Sequence, residues 1–295
     1  MSFFKNAFID LCIKGCFNWL PDESYLKMCF RIRLGNRLNL NNPKTFNEKL
    51  QWLKINDRNP VYSQLTDKYE VRSFVSETIG DEYLIPLIGV WNGVDEIDFD
   101  ALPQRFVLKC THDSQSVVTC RDKLNFDIKK AKEFLNSRMS KNYFYGGREY
   151  QYKNIKPRII GERYIEESDG QLKDYKLFCF NGIPKIMLVV SDRGINKTKF
   201  DFFDMQFNKL PIRQYYPNSS QKIECPRNFG AMIKLSEKLT KNFVHCRADF
   251  YEVNGKVYFG ELTFTHFCGF VPFEPIEWDY KLGSWIELSR NNNLC

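Results

Sequence analysis

The alternation of apolar and polar positions is sharpest between Cys246 and Phe264, where two runs of period two flank Asn254-Gly255 and predict a β-hairpin. Register decides what that hairpin presents. With a loop of only Asn254-Gly255, Val253 would pair with Lys256, and Asp249 and Glu261 would point to opposite faces. A loop of Asn254 to Lys256, with Gly255 at positive φ, pairs Val253 with Val257 and sets Asp249 directly across from Glu261. The second register is the expected one. It also puts Arg247 opposite Thr263, gathering two carboxylates, a guanidinium and a hydroxyl on a face suited to a hard divalent cation and phosphate oxygens. The competing interpretation is a solvated polar face on an ordinary hairpin.

Elsewhere the pattern predicts a mixture of helices and hairpins. The first twenty residues have an apolar helical pattern broken by Lys5, Asp10 and Lys14, expected to pack on the domain, with in-plane membrane contact as the alternative. A short helix near Tyr25 to Leu34 follows, and then Thr45-Phe46-Asn47-Glu48, a capping box, starts a helix to about Ile55 with Phe46, Leu50, Trp52 and Leu53 toward the core. Thr66-Asp67-Lys68-Tyr69 is expected to open a helix ending at Gly80, which would place Lys68 in its first turn, against the helix dipole. An extended run follows from Tyr83 to Ile88. Arg105 to Cys110 and Val117 to Cys120 are read as strands around the polar loop Thr111 to Ser116, and a helix capped by Asp127 is expected to run to Arg138 with solvated lysines.

Asn142 to Tyr152 has a loop composition, and Pro157 to Glu167 is a strand with an acidic end. A second hairpin turns at Asn181-Gly182 between Asp174 to Phe180 and Ile183 to Val190. Asp174 and Lys176 share a strand face, with Arg193 at the far end of the partner, forming either a phosphate-binding surface or exposed ion pairs. Mixed strand and loop to Tyr216, a helix from Asn228 to Thr240 and a closing helix from Trp278 to Leu288 complete the pattern.

Composition narrows the partners. A net charge of +7 is scattered in short patches over 295 residues, which fits an anionic small molecule, an acidic glycan or a membrane surface better than duplex DNA, and no nucleic-acid motif occurs. The 26 Phe and 15 Tyr suit sheet-rich packing or ring-lined clefts. The ten cysteines are scattered without a Cys-x-x-Cys pair, so reduced, buried thiols and a cytoplasmic location are expected. Three histidines without His-x-x-x-His spacing argue against zinc, and there is neither a cleavable signal nor a bilayer-spanning apolar run.

The chemistry-bearing segments resemble, in their order, the ATP-grasp superfamily. PKTFNEKLQWLK, DKYEVR, EYLIPLIGVW, FVLKC, DYKLFCFNG and YFGELTF are similar to its TupA-like branch, associated with teichuronopeptide and polysaccharide biosynthesis, over about Leu34 to Phe273. The resemblance implies an α+β fold, two subdomains with antiparallel sheets clasping a nucleotide. Residues 1–60 would form an N-terminal helical segment and 61–295 the ATP-grasp domain, holding the nucleotide between about 105–165 and 166–270.

It further implies that Lys68 and Lys109 bind the nucleotide phosphates with Ser114 of the adjoining loop. Glu162, Arg163, Tyr164 and Ile165 would form the adenine hinge, and Glu166 or Glu167 would contact the ribose. Asp174 is implied on the nucleotide side, Lys176, Arg193 and Arg247 about the transferred phosphoryl group, and Asp249, Glu261 and Thr263 as ligands of Mg2+. Thr263 stands where the superfamily often has Asn. The branch's His-Gly-Ser-Gly-like loop reads His112-Asp113-Ser114-Gln115 here, and the Asp113 carboxylate is expected to repel phosphate unless magnesium or lysine offsets it. Residues 1–60 show no βαβ pattern, so the α/β substrate domain that usually precedes the nucleotide site is not expected in this stretch.

The activity implied is ATP-dependent ligation of a carboxylate, on a sugar or amino acid, to an amine acceptor, with ATP and Mg2+ as cofactors and surface-polysaccharide biosynthesis as the setting. The location implied is the cytoplasm, with residues 1–20 able to touch the inner face of the membrane. Two alternatives stand beside it: a glycosyltransferase using Asp98-Phe99-Asp100 as a metal-binding Asp-x-Asp, and a non-catalytic nucleotide- or glycan-binding module.

Overall fold

The computed structural model describes residues 2–166, 172–192 and 198–288. In chain order the elements are helices α1 (Ser2–Ile13), α2 (Asp22–Leu34), α3 (Phe46–Asn56), α4 (Val61–Thr66) and α5 (Val71–Ile79), then strands β1 (Leu87–Trp91), β2 (Phe106–Cys110) and β3 (Val117–Cys120). Helices α6 (Ile128–Met139) and α7 (Phe144–Gly147) precede β4 (Ile159–Arg163), β5 (Asp174–Phe180), β6 (Ile183–Ser191) and β7 (Lys199–Asp204). The chain closes with α8 (Phe229–Thr240), β8 (His245–Val253), β9 (Lys256–Thr263) and α9 (Glu277–Ser284). Two compact units result: Asn59–Gly170, and Met1–Arg58 together with Gln171–Cys295.

The smaller unit is built on an antiparallel sheet of order β1-β4-β2-β3. Alternation along β2 sends Phe106, Leu108 and Cys110 into a core with Val94, Phe99, Leu102 and Leu135 of α6, and turns Lys109 to the other face. Asp127 caps α6 as expected, its carboxylate accepting from the Lys130 amide.

Three expectations change here. The extended run predicted from Tyr83 is a 3-10 turn over Asp81–Tyr83, and the strand begins only after Pro86, which has no N–H to donate but accepts from the Arg163 amide at 3.0 Å. The strand predicted to Glu167 leaves its ladder after Arg163; Glu167 and Arg193 lie outside the described residues. The expected single helix through Lys68 is two helices, α4 ending at Thr66 and α5 starting at Val71. Asp67 separates them, because its carboxylate accepts from the Tyr69 and Glu70 amides at 2.7 and 3.1 Å and so starts a new helical turn. Lys68 sits in that turn.

The larger unit carries an antiparallel sheet of order β7-β6-β5-β8-β9. Its central strand β5 is buried at every position. One face is covered by α8, whose buried residues Met232, Leu235, Ser236, Leu239 and Thr240 follow helical spacing. On the other face Phe178, Phe180, Ile186, Leu188 and Phe202 pack with Phe46, Leu50 and Leu53 of α3 and with Phe273, Leu282 and Ile286. The capping box at Thr45 and Glu48 forms as expected. Around Tyr25, Leu26, Cys29, Phe30 and Phe270, the side chains of Phe8, Cys12, Phe17 and Leu20 pack against this unit, whereas Leu11 and Trp19 stay exposed.

Helix α9 lies hard against the start of α3. A Cβ on Gly283 would stand 2.3 Å from the Lys44 carbonyl oxygen and 2.7 Å from the Phe46 amide nitrogen. Those are backbone atoms that cannot swing aside, so Gly283→Ala is expected to cost about 1–3 kcal/mol in urea unfolding.

The β8–β9 hairpin corrects the predicted loop while keeping its consequence. The loop is the two-residue Asn254-Gly255, both at positive φ (50° and 75°), and Val253 pairs with Lys256. A register shift between Asp249 and Phe250 then leaves Gly260 as the extra residue on β9, and beyond it Asp249 faces Glu261 and Arg247 faces Thr263. The two-residue loop alone would set the carboxylates on opposite faces, and the bulge returns them to one face.

Candidate functional site

In the larger unit the expected residues converge on Arg247. Asp174 and Lys176 on β5 and Arg247 and Asp249 on β8 point to the same sheet face as Phe178 and Phe180, with Glu261 and Thr263 on β9. The Arg247 Nε donates to Asp249 Oδ1 at 2.7 Å, and its Nη2 reaches Asp249 Oδ2, Glu261 Oε1 and Thr263 Oγ1 at 2.8, 3.1 and 3.0 Å. Thr263 in turn donates to Glu261 Oε1 at 3.2 Å. Lys176 bonds to Asp249 and lies 3.4 Å from Asp174. Three oxygens from three residues therefore bracket one positively charged atom.

Burial sets the electrostatics. It pushes the Asp249 carboxyl above the usual range, with Arg247 and Lys176 opposing. For Arg247 burial works against the charge, but Asp249 and Glu261 outweigh it and its pKa is raised.

His266 and Gln214 belong to the same cluster, and the sequence patterns did not single them out for it. The Arg247 Nη1 lies 2.5 Å from His266 Nδ1, and His266 Nε2 lies 2.8 Å from Gln214 Oε1. A guanidinium can only donate, so Nδ1 accepts and the proton sits on Nε2, which donates to Gln214. Burial, then the Arg247 charge, holds the His266 pKa well below its ordinary value, consistent with that neutral tautomer.

The turn carrying His266 is braced by α3. Phe267 and Cys268 take left-handed conformations (φ 48° and 55°). Gln51 donates to the carbonyls of Cys268 and Gly269 at 3.0 and 2.8 Å, Lys54 to Cys268 at 2.7 Å, and Asn47 to Val271 at 3.1 Å. The buried polar residues of α3 thus hold the backbone behind the site, a job invisible in its helical period.

In the smaller unit, Lys109 pairs with Glu162 at 2.6 Å, and Arg72 with the same carboxylate at 3.2 Å. Glu162 and Arg163 lie in β4, between β1 and β2, whereas Tyr164 and Ile165 follow the ladder with unzipped backbone. Tyr164 stacks under Arg105, 4.5 Å to its ring centroid, and Glu166 pairs with Arg105. Lys68 is fastened to the loop twice, its amide to the Thr111 carbonyl at 3.2 Å and its ammonium to the Asp113 carbonyl. Asp67 accepts from Arg158 at 3.0 Å. The charge of Asp113 is offset by arginine where magnesium or lysine was expected: the residue is 1% exposed, receives Arg138 of α6 in a bidentate pair (2.8 Å on one arm) and caps the Ser114 amide at 2.7 Å. Gln115 supplies the left-handed residue (φ 65°) that a glycine would have filled.

Two other segments prove structural. Asp98 Oδ1 accepts from the Asp100 and Ala101 amides at 3.0 and 3.3 Å, and Phe99 is buried, so the Asp-x-Asp triplet is a turn. The Asn142 to Tyr152 segment contains α7 and buries Arg148 and Glu149, leaving no open loop there. No helix among the described residues is long and apolar enough to cross a membrane.

Two antiparallel sheets, with a basic strand and turn in one unit and a carboxylate hairpin in the other, define an α+β protein of the ATP-grasp class. The chain matches the TupA-like ATP-grasp family over residues 48–287 and belongs to it.

Among solved structures it is similar to the D-alanine–D-alanine ligase of Helicobacter pylori (15% identity, 82% of this chain, 69% of that one, TM-score 0.41). It is also similar to the Bacillus anthracis D-alanine–D-alanine ligase complexed with ATP (15%, 68% and 53%, TM-score 0.37) and to the ATP-grasp ligase PsnB complexed with minimal precursor, Mg and ADP (9%, 74% and 57%, TM-score 0.38). The chain spans about half the length of the Bacillus anthracis ligase, 53% in the ATP complex. The fold assignment rests on the family match and the sheet topology. Among curated proteins no relative matches the chain.

The fold class implies a divalent cation, and the donor set suits one. Among the described residues no group of three or more His, Cys, Asp and Glu side chains is set to hold a metal. Magnesium needs no such cage, being held by one or two carboxylates, with substrate phosphates and water completing the shell. Asp249, Glu261 and Thr263 bring hard oxygens of this kind together on one face of the sheet, where each accepts from Arg247 Nη2, so a metal would share these ligands with the guanidinium.

Proposed function

We propose that the chain is an ATP- and magnesium-dependent carboxylate–amine ligase that acts on a carboxylate-bearing sugar or amino acid in surface-polysaccharide biosynthesis. The observation that carries this reading is the convergence of Asp249, Glu261 and Thr263 on one cationic atom beside Lys176. The polysaccharide setting is proposed on the motif resemblance alone.

Magnesium would be held by Asp249, Glu261 and Thr263 and would supply neutralisation of phosphate charge. Lys68 and Lys109 bind the nucleotide phosphates, with Ser114 of the Asp113-pinned loop offering its hydroxyl. Tyr164 and Ile165 present free-running backbone to the adenine. The substrate carboxylate oxygen attacks the γ-phosphorus, ADP leaves, and an acyl phosphate forms. An amine then attacks the acyl carbon, inorganic phosphate departs, and the amide forms with loss of one proton. Arg247 and Lys176 steady the anionic oxygens in both steps, so positioning and charge do the work and no nucleophilic side chain is required.

Phosphate release from ATP is expected to require a carboxylate donor and an amine together. Asp249→Asn and Glu261→Gln should each lower it by about 10²-fold or more, with circular dichroism and melting curves showing a folded protein. Turnover untouched by both substitutions would overturn the assignment. Stabilisation by magnesium-ATP without any turnover would favour a nucleotide-binding module instead.

A further inference from the structure

The segment Pro43-Lys44-Thr45-Phe46-Asn47-Glu48-Lys49-Leu50-Gln51-Trp52 does more than build α3, and sorting its side chains shows what is left over. Phe46 and Leu50 fill the core, Thr45 and Glu48 make the capping box, and Asn47 and Gln51 hold the backbone at 268–271. Asn47 also bonds Asp279 at 3.0 Å. Pro43, Lys44, Lys49 and Trp52 remain, and all four line one cavity of about 470 Å³ in the larger unit.

Asn41, Asn42 and Ser284 add amide and hydroxyl groups to its wall, and Ile286 and Leu288 add apolar surface. None of the lining residues belongs to the Arg247 cluster. The volume lies in the range of small-molecule sites.

The chemistry of the wall selects the ligand. Trp52 packs one side against the core and borders the cavity, as a ring that accepts the C–H face of a sugar would. Amides and a hydroxyl match a ligand rich in hydroxyls. Two ammonium groups share the space with the single carboxylate Glu287. Lys49 is anchored by a 2.6 Å bond to the Ile286 carbonyl, and its proton affinity is lowered by burial and then by Lys44. An incoming anion relieves that crowding of like charge.

We infer that this cavity is a binding site for an anionic saccharide, with Trp52 stacking on the sugar ring and Lys44 and Lys49 meeting the acid group. The inference does not rest on the ligase reading, because its readout is saccharide binding in the absence of ATP.

The test uses the full chain and a matched pair of probes, methyl β-D-glucuronide and methyl β-D-glucoside, followed by titration calorimetry or saturation-transfer NMR, with inorganic phosphate as a competitor. The glucuronide is expected to bind, the glucoside to bind at least about ten-fold more weakly, and Lys49→Met, Lys44→Met and Trp52→Phe each to weaken the glucuronide. Lys44 is exposed, so Lys44→Met keeps the test valid if Lys49→Met, which loses the Ile286 bond, fails to fold. No binding of the glucuronide, equal binding of both sugars, binding indifferent to Lys44 and Trp52, or phosphate binding as tightly as the glucuronide would each overturn it.

Discussion

Arg247→Met is expected to destabilise the protein by about 3–5 kcal/mol, the largest loss for any single substitution in the site. The guanidinium is buried and serves Asp249, Glu261, Thr263 and His266 at once. Removing it leaves the Asp249 carboxylate, 1% exposed, with Lys176 as its remaining cation and removes the donor that fixes the His266 tautomer. Breaking a buried pair from one side costs more than the pair is worth, because the surviving charge stays buried.

The double variant Arg247→Met/Asp249→Asn should therefore lose less than the sum of the two single changes, by about 1–3 kcal/mol in a denaturant double-mutant cycle. Additive losses would show that Arg247 acts on the fold independently of Asp249.

The second large effect is a steep loss of stability in mild acid. All three histidines, His112, His245 and His266, are buried. Burial lowers the pKa of each from an ordinary value of 6.5, that of His245 to about 3. Below pH 6.5 the unfolded chain takes up protons that the folded chain refuses, so unfolding is favoured as pH falls. Three such groups give a slope of at most about 4 kcal/mol per pH unit.

Asp249 and Asp279 act in the opposite sense. Burial raises both above 3.8, so the native state binds the extra proton between that value and their folded pKa, which blunts the slope at the acid end. Urea midpoints should fall steadily from pH 7 to pH 5, and His112→Gln should flatten the curve by about one proton. A flat profile from pH 7 to pH 5 would show that the folded chain protonates these rings freely.

Much of the site was legible because β-strand chemistry is local. Period two put Asp174 with Lys176 and Arg247 with Asp249 on shared faces, and Asn-Gly marked both hairpin turns. The capping box at Thr45 and the cap at Asp127 were legible for the same reason, since each depends on atoms three residues apart.

What escaped local pattern depended on competition between equivalent local solutions. The two-residue loop and the Gly260 bulge reach the same Asp249–Glu261 pairing as the three-residue loop without it, and alternation cannot tell one from the other. Asp67 could have been an interior helical residue or the start of a new turn, and its contact with Arg158, far along the chain, accompanies the second.

By itself, then, the order of residues determined the strand faces that the charged and polar side chains share and the α+β class with two antiparallel sheets. Only the tertiary structure decided their partners: Asp113 paired with Arg138, His266 set between Arg247 and Gln214, and α3 turned into a brace for the loop at 266–271. The physical reason is range. Alternation and capping act over a few residues, whereas burial and ion pairing depend on which distant segments exclude water from a group, and that is known only once the chain has packed.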